Sequence, residues 1–276
     1  MSRIRKINPS MNSGQALRYG RGTMLTKKQL IDGFGQIGIK NGDTVIVHTS
    51  YKSLGGVEGG ADAVIDAFIE LAGVDGTVMF PAFNFQSWTE THYFDVLETP
   101  SKMGMITEIA RLRPNAKRTP HPIYSFSVLG KRADEFSKAD DVEAYGPNSA
   151  FALFHKINGT IVSIGLDFNS TFSMHHYIEY NVGCDYRHVK EFAGIYLGYD
   201  RVPKIKMHSM FVRNNERVKT YIVPGMNELL AAGVIREVQV GAAKVHHSTA
   251  NEFYDNMSVI VREHPEKLHY IEEPKY

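Results

Sequence analysis

The chain has 276 residues, 43% of them hydrophobic and 22% charged, and its formal net charge is +1. That length and balance suit one large α/β domain with a sizeable core, and a near-neutral charge with scattered Arg and Lys argues against a nucleic-acid partner. No stretch approaches the roughly 20 apolar residues of a membrane span, and the single cysteine, Cys184, excludes an internal disulfide and a multi-cysteine zinc site.

The basic, polar N-terminus lacks the apolar core of a signal peptide, so a cytoplasmic location is expected and residues 1–25 read as an irregular arm. Thr26 is a candidate N-cap for a helix whose apolar positions Leu30, Ile31, Phe34 and Ile37 keep a helical period. A turn at Lys40 to Asp43 leads into a buried strand, Thr44 to His48. A Ser- and Gly-rich loop follows, then a helix from about Gly60 to Leu71 with Val64, Ile65, Phe68 and Ile69 on one face. Gly73 is its candidate C-cap, and Asp75-Gly76 turns the chain into a second buried strand, Thr77 to Pro81.

Further on, Gly104 to Leu112 reads as a helix, and His121 to Leu129 contains the alternating strand YSFSVLG. Ser149 to His155 suits a short helix, Gly159 to Gly165 a buried strand, and Met174 to Tyr180 the start of a helix. Signals weaken over 185–250: Val202 to Val212 suggests a strand pair, Asn227 to Ala232 a helix, and Glu237 to Val240 an extended segment. Ala250 to Arg262 is an amphipathic helix closed by His264-Pro265. With no solenoid repeat and no low-complexity linker, residues 26–276 are expected to form one domain.

Three constellations could carry chemistry. The first is the loop His48 to Gly60, which joins a strand's carboxyl end to a helix's amino end. Free backbone N–H groups and the helix dipole favour anionic or dipolar ligand groups there. Gly55, Gly56, Gly59 and Gly60 permit positive φ, while Thr49, Ser50 and Ser53 supply hydroxyls. Neither the P-loop nor the dinucleotide glycine spacing is present. The bland alternative is a flexible connection whose serines cap the helix.

The second is Pro120-His121-Pro122-Ile123-Tyr124-Ser125-Phe126, in which two prolines hold His121 extended before a strand. A structural histidine is the plain alternative. In the third, a polar loop from Asp167 to Ser173 enters a helix that carries His176 and Glu179 three residues apart, on one face. Such a histidine can act as general base with a carboxylate orienting its ring. His175 and His176 could instead join Asp167 or Glu179 around a metal, but the HExxH pattern and closed-site spacing are missing. The GxSxG elbow of a serine hydrolase is also absent.

Taken together, HTSYKSLGGVEGGADAVIDA, GTVMFPAFNF, TPSKMGMITEIARLRPNAKRTPHPIYSFSVLGKRADEF and the segment ending HHYIEY resemble the aminoglycoside 3-N-acetyltransferase family. These antibiotic N-acetyltransferases are distinct from the GNAT fold, and the likeness covers roughly residues 26–187 in the family's order. It implies a single layered α/β domain with a mixed central sheet flanked by helices, neither Rossmann nor GNAT. It implies acetyl-CoA as co-substrate, no metal, and a small-molecule amine acceptor, and it leaves a homo-oligomer open.

The resemblance places Thr49, Ser50, Tyr51, Ser53, Leu54, Gly55, Val57 and Gly59 around the donor, with His121, Ser125 and Phe126 on the same side of the cleft. His176 matches the general base and Glu179 the carboxylate that orients it or faces the acceptor amine, and Ser173 supplies an oxyanion hydroxyl. Phe83, Asp167, Asn169, His175 and Glu179 fall on the acceptor side. Transfer would be direct, with Cys184 outside the motif as a buried small hydrophobe.

Two features depart from the family pattern. The loop before the histidine reads Asp167 to Ser173 where the family usually has HDSNTTLH, and the pair His175-His176 adds a one-residue ambiguity that the distance to Glu179 resolves toward His176. Residues 185–250, the expected acceptor-side lobe, also carry Arg187, Lys190, Arg201, Lys204, Lys206, Arg213, Arg217, Lys219, Arg236 and Lys244. The acids between Cys184 and His247 are Asp185, Glu191, Asp200, Glu216, Glu228 and Glu237. An excess of cations disfavours a polycationic drug and favours an amino sugar bearing phosphate, such as a nucleotide-linked sugar. Outside catalysis, a CoA- or glycan-binding protein is the alternative class; a metal-dependent hydrolase is the third.

Overall fold

Buried strands with apolar residues on both faces need a layer of helices on each side, and that requirement shapes this chain. The structure, a computed structural model, describes residues 24–139 and 142–273. In β1 (Thr44–Thr49), Val45 and Val47 enter one core and Ile46 the other. In β6 (Thr160–Ile164), Val162 and Ile164 face the first core and Ile161 the second. The first core is closed by helices α1 (Lys27–Gly35), α2 (Gly60–Ala72) and α4 (Met105–Arg111). The second lies under α6 (Ala150–Lys156), α7 (Met174–Val182), α8 (Val223–Ala231) and α9 (Ala250–Glu263). Two short helices, α3 (Phe85–Thr89) and α5 (Ala133–Phe136), complete the set.

The remaining strands are β2 (Thr77–Pro81), β3 (Tyr93–Asp95), β4 (Lys117–Arg118), β5 (Phe126–Gly130), β7 (Arg187–Leu197) and β8 (Pro203–Arg213), followed by β9 (Val218–Thr220), β10 (Arg236–Val240), β11 (Ala243–Thr249) and β12 (His269–Ile271). The main sheet has the order β10-β11-β6-β1-β2-β5-β4. Only β6, β1 and β2 run parallel; antiparallel strands flank them on both sides. The sheet is therefore mixed, and its parallel order reverses at β1, between β6 and β2. Ligands bind outside the carboxyl ends of strands at such a switch. Here those ends emit the two polar loops that follow β1 and β6.

Local chemistry explains most boundaries. Thr26 caps α1 in a full capping box with Gln29, and Ser149 caps α6 by accepting from the Ala152 N–H at 3.1 Å. The strand expected from Tyr124 begins only at Phe126, because the His121 Nδ1 accepts from the N–H groups of Ile123 and Tyr124, each at 3.2 Å, and holds them in a turn. The strand pair expected inside 202–212 is one strand, β8. Its partner is β7, and the turn falls at Gly198 to Val202, where Arg201 takes a φ of 57°. Of the arm expected over 1–25, residues 1–23 lie outside the described residues, while Leu25 bridges to Val57. Cys184 is half-buried, and burial pushes its thiol up to about 12. Among the described residues no helix is long and apolar enough to cross a membrane.

Candidate active site

Strand alternation puts His48 on the Ile46 side of β1, facing α7. The loop after β6 meets it there. Asp167 opens a short turn of 3-10 helix by accepting from the Asn169 N–H at 2.9 Å and the Ser170 hydroxyl at 2.8 Å. Asn169 in turn accepts from the Ile222 N–H at 2.9 Å, tying the loop to α8. Phe172 then takes a φ of 50°, a conformation that costs a bulky side chain about 1–2 kcal/mol. Its fully buried ring packs on Phe253, and its carbonyl accepts from the His175 N–H at 2.9 Å and Nδ1 at 3.0 Å. That strained residue turns the chain so that Ser173 meets His48 and α7 starts.

On α7, the His176 Nδ1 is 2.7 Å from Glu179 Oε2. A carboxylate only accepts, so Nδ1 carries the proton and the lone pair of His176 is on Nε2. Glu179 is fully buried and also accepts from the Tyr186 hydroxyl at 2.8 Å. The Arg187 Nε lies 3.0 Å from Oε2 but is not directed along a hydrogen bond, so that contact is coulombic. Burial opposes the Glu179 charge, yet His176, His175 and Arg187 outweigh it and hold its carboxyl down at about 2. Burial, helped by Arg187, keeps His176 below its usual value, so its base form is present at neutral pH.

Two further histidines stand beside this pair. His48 Nε2 is 3.0 Å from the Ser173 hydroxyl and 3.4 Å from the Ser173 N–H. The backbone group can only donate, so Nε2 is an acceptor, and burial pulls this imidazole down to about 4. His175 packs its ring 3.8 Å from that of His176, and burial takes it down to about 3. His175, His176 and Glu179 have ligating atoms within 4.8 Å of one another. In that trio Glu179 is already committed to a tyrosine hydroxyl, an imidazole N–H and a guanidinium, an arrangement suited to orienting a base rather than to holding a cation.

These groups open on a cavity of about 310 Å³, walled by apolar Phe83, Phe85, Met103 and Phe211 and by polar Thr49, Asn169, Ser173 and the histidines. Thr49 and Thr171 each present a buried hydroxyl to it that has no partner among the described residues, while the Tyr145 hydroxyl interacts with that of Tyr124. Burial raises the Tyr145 hydroxyl well above its usual value, so it remains a donor. An apolar pocket with a few convergent polar groups and displaced histidine pKa values is the expected form of a small-molecule reaction site.

The sequence profile of the aminoglycoside 3-N-acetyltransferases matches residues 46–261. The chain belongs to that family. An SPbeta prophage-derived aminoglycoside N(3')-acetyltransferase-like protein of Bacillus subtilis is 30% identical over 179 residues, covering 57% of this chain and 65% of that relative's length. Aminoglycoside N(3)-acetyltransferase VII of Streptomyces paromomycinus is 28% identical over 259 residues, 84% of this chain and 89% of that one. The same fold appears in AAC-IIIb, solved as a binary complex with CoASH, at a TM-score of 0.77 and 20% identity, covering 92% of this chain and 100% of that one.

Within this acetyltransferase fold the residues singled out from sequence separate into two groups. Thr49, Phe83, Asn169, Ser173, His175 and His176 line the cavity, with Glu179 directly behind His176. The loop Ser50 to Gly59 lies just beyond Thr49 and is tied to β6 by the Ser50 N–H, which donates to the Ile164 carbonyl at 2.8 Å. Tyr51 to Leu54 form a turn of 3-10 helix, Leu54 and Val57 are buried, and Gly55 and Gly59 have φ of 86° and 78°. The serines do not cap α2; Gly59 occupies the N-cap without any side-chain bond.

His121, Ser125, Phe126 and Asp167 are off the cavity wall. His121 builds its turn, and the Ser125 hydroxyl receives the Arg118 Nε at 2.9 Å and donates to the Ala82 carbonyl at 3.1 Å. Between them Tyr124 reaches the cavity, so this motif delivers a neighbour of the expected residues. His48 was signalled by its place at the end of a central strand. Tyr145 and Arg187 had no local signal: each reaches the site through long-range packing.

Proposed function

We propose that this chain acetylates an amine of an amino sugar, with aminoglycosides among the acceptors, using acetyl-CoA and direct transfer. The observation that carries this is the buried Glu179–His176 pair, which leaves Nε2 as the basic atom on the wall of a cavity at the sheet's switch point. The named activities of the relatives and the CoASH complex of AAC-IIIb support the donor and the acceptor class.

His176 takes a proton from the acceptor ammonium or from the attacking amine, since only a neutral amine is nucleophilic. Glu179 stabilises the imidazolium that forms, and Arg187 keeps that carboxylate ionised. An N–C bond forms to the acetyl carbonyl, the C–S bond breaks, and the proton on His176 is available to the leaving thiolate. Thr49 and Thr171 offer hydroxyl protons that no group among the described residues claims, and they are the candidates for holding the oxyanion. Ser173 has already given its proton to His48, so its lone pairs receive an N–H of the acceptor amine. The loop Ser50 to Gly60, next to Thr49, takes the phosphate end of the donor.

Thiol release from acetyl-CoA, measured with an aminoglycoside, with glucosamine and with simple amines, tests the reading. Release that depends on an amino sugar is expected. Binding of acetyl-CoA with no release on any amine would make the chain a binding protein instead, and stoichiometric zinc in active protein would replace the base mechanism with a metal-assisted one.

A further inference from the structure

We infer that the β7–β8 side of the cavity is an anion subsite that selects amino-sugar acceptors carrying a phosphate group, an inference that rests on the acetyltransfer reading above. A groove of about 410 Å³ runs along this hairpin, and it shares Arg187, Met210 and Phe211 with the catalytic cavity, so the two adjoin. Its further lining includes Lys190 and Arg213, with Glu216 as its carboxylate.

What distinguishes these cations is their lack of compensation. Elsewhere in the lobe, Arg201 pairs with Asp95, Lys204 with Asp200, Lys219 with Glu272, Arg236 with Glu252 and Lys244 with Glu237. The excess of positive charge legible in the sequence is therefore largely cancelled away from the groove. Lys190 and Arg213 form no ion pair among the described residues, and Lys190 lies 5.2 Å from the Phe192 ring centre. Moreover, Arg213 stands directly opposite Arg187 in the antiparallel register, so the two guanidinium groups leave the same face. Like charges placed that way destabilise a strand pair. Arg187 is answered by Glu179, whereas Arg213 is answered by nothing described, and a phosphate in the groove would satisfy it; Lys190, paired with Met210, leaves the other face of the hairpin. A phosphate ester on the sugar would reach this groove while its amine faces His176, because the two spaces meet at Arg187.

The test compares kcat/KM for glucosamine, glucosamine 6-phosphate and UDP-glucosamine, in the natural protein and in the Arg213→Glu variant. A phosphorylated amine is expected to be preferred by roughly tenfold or more at low salt, the value of one or two charge-assisted contacts, with the ratio shrinking as salt rises. In that variant the ratio should fall to near one. Which of the two phosphorylated amines gains more separates a simple sugar phosphate from a nucleotide-linked one. Inorganic pyrophosphate supplies an arm independent of the sugar: it should inhibit competitively against whichever amine is used, and lose potency in the variant. Inhibition competitive with acetyl-CoA and weakened in the variant would give the groove to the donor and overturn the inference, as would equal or better turnover of glucosamine or an aminoglycoside. Absence of thiol release with every amine would instead sink the acetyltransfer reading itself.

Discussion

The wall of the cavity made by β1 and α7 is buried and carries imidazoles held neutral, whereas the wall made by β7 and β8 opens to solvent and carries positive charge. Both come from the same chain, yet they solve different problems. The first must set the protonation state of a base, which needs burial, fixed hydrogen bonds and a carboxylate locked by several donors. The second must greet a ligand arriving from water, which needs exposed charge that no neighbour has already neutralised. Arg187 belongs to both, holding Glu179 ionised on one side and bordering the groove on the other.

Removing the base tests the first wall most severely. His176→Ala is expected to lower kcat by about 10²–10⁴-fold, the usual worth of a positioned general base, while the Kd for acetyl-CoA changes little. Steady-state kinetics with a binding titration reads both, and a retained kcat would move the base to another group. Next in size is Glu179→Gln. It leaves Arg187 buried without its counter-charge and frees the His176 ring to change tautomer, so a stability loss of about 3 kcal/mol in urea unfolding should accompany a fall in kcat. Activity lost with stability unchanged would show that Glu179 acts on the ligand alone.

Acid should break the first wall before the second. His48 and His175 are held neutral by burial, at about 4 and about 3, against about 6.5 in the unfolded chain. The unfolded state therefore binds more protons between these values. The stability these groups supply is complete above pH 6.5 and is lost as pH falls through the window down to their folded values. From pH 7 to pH 5 each should cost about 2 kcal/mol of unfolding free energy. Glu179 titrates near 2 and adds nothing in that interval. Other buried histidines, His121 foremost, add to the loss; denaturant curves at the two pH values read it, and His48→Asn should reduce it by about 2 kcal/mol. A flat profile would mean that these rings are hydrated.

Much of the first wall was legible because its information is local. The helical spacing of His176 and Glu179, the turn signals around β1 and the apolar runs of β2 and β6 each lie within one element. The Ser- and Gly-rich loop was read correctly as a strand-to-helix junction, although the glycine, not a serine, caps α2. The long hairpin was not legible, since 203–213 is a half-exposed strand whose lys- and apolar-rich pattern has no clean alternation and whose partner is fixed only by tertiary pairing. The Pro-clamped histidine was singled out for chemistry, but its nitrogen caps a turn, and the neighbour that lines the cavity is Tyr124. Counting charges over 185–250 likewise overstated the field, because the count could not see which cations already had partners.

The smallest expected effect separates two roles for one hydroxyl at the seam between the walls. From its place before the helix, Ser173 reads as an oxyanion donor. In the structure its hydroxyl and its backbone N–H both approach Nε2 of His48, at 3.0 and 3.4 Å, and the second contact requires that nitrogen to be unprotonated. The Ser173 proton is therefore spent on His48, and only oxygen lone pairs face the cavity. Those can receive an N–H of the acceptor but cannot stabilise a negative oxygen. Ser173→Ala should then raise the acceptor KM by several-fold, the worth of about one hydrogen bond, and leave kcat within a factor of a few. Loss of an oxyanion donor would instead lower kcat by about 10²-fold or more with KM little changed. The KM-against-kcat split thus assigns the hydroxyl to the amine or to the carbonyl, and a kcat loss would also require the His48 ring to carry its proton on Nε2, contrary to the backbone contact.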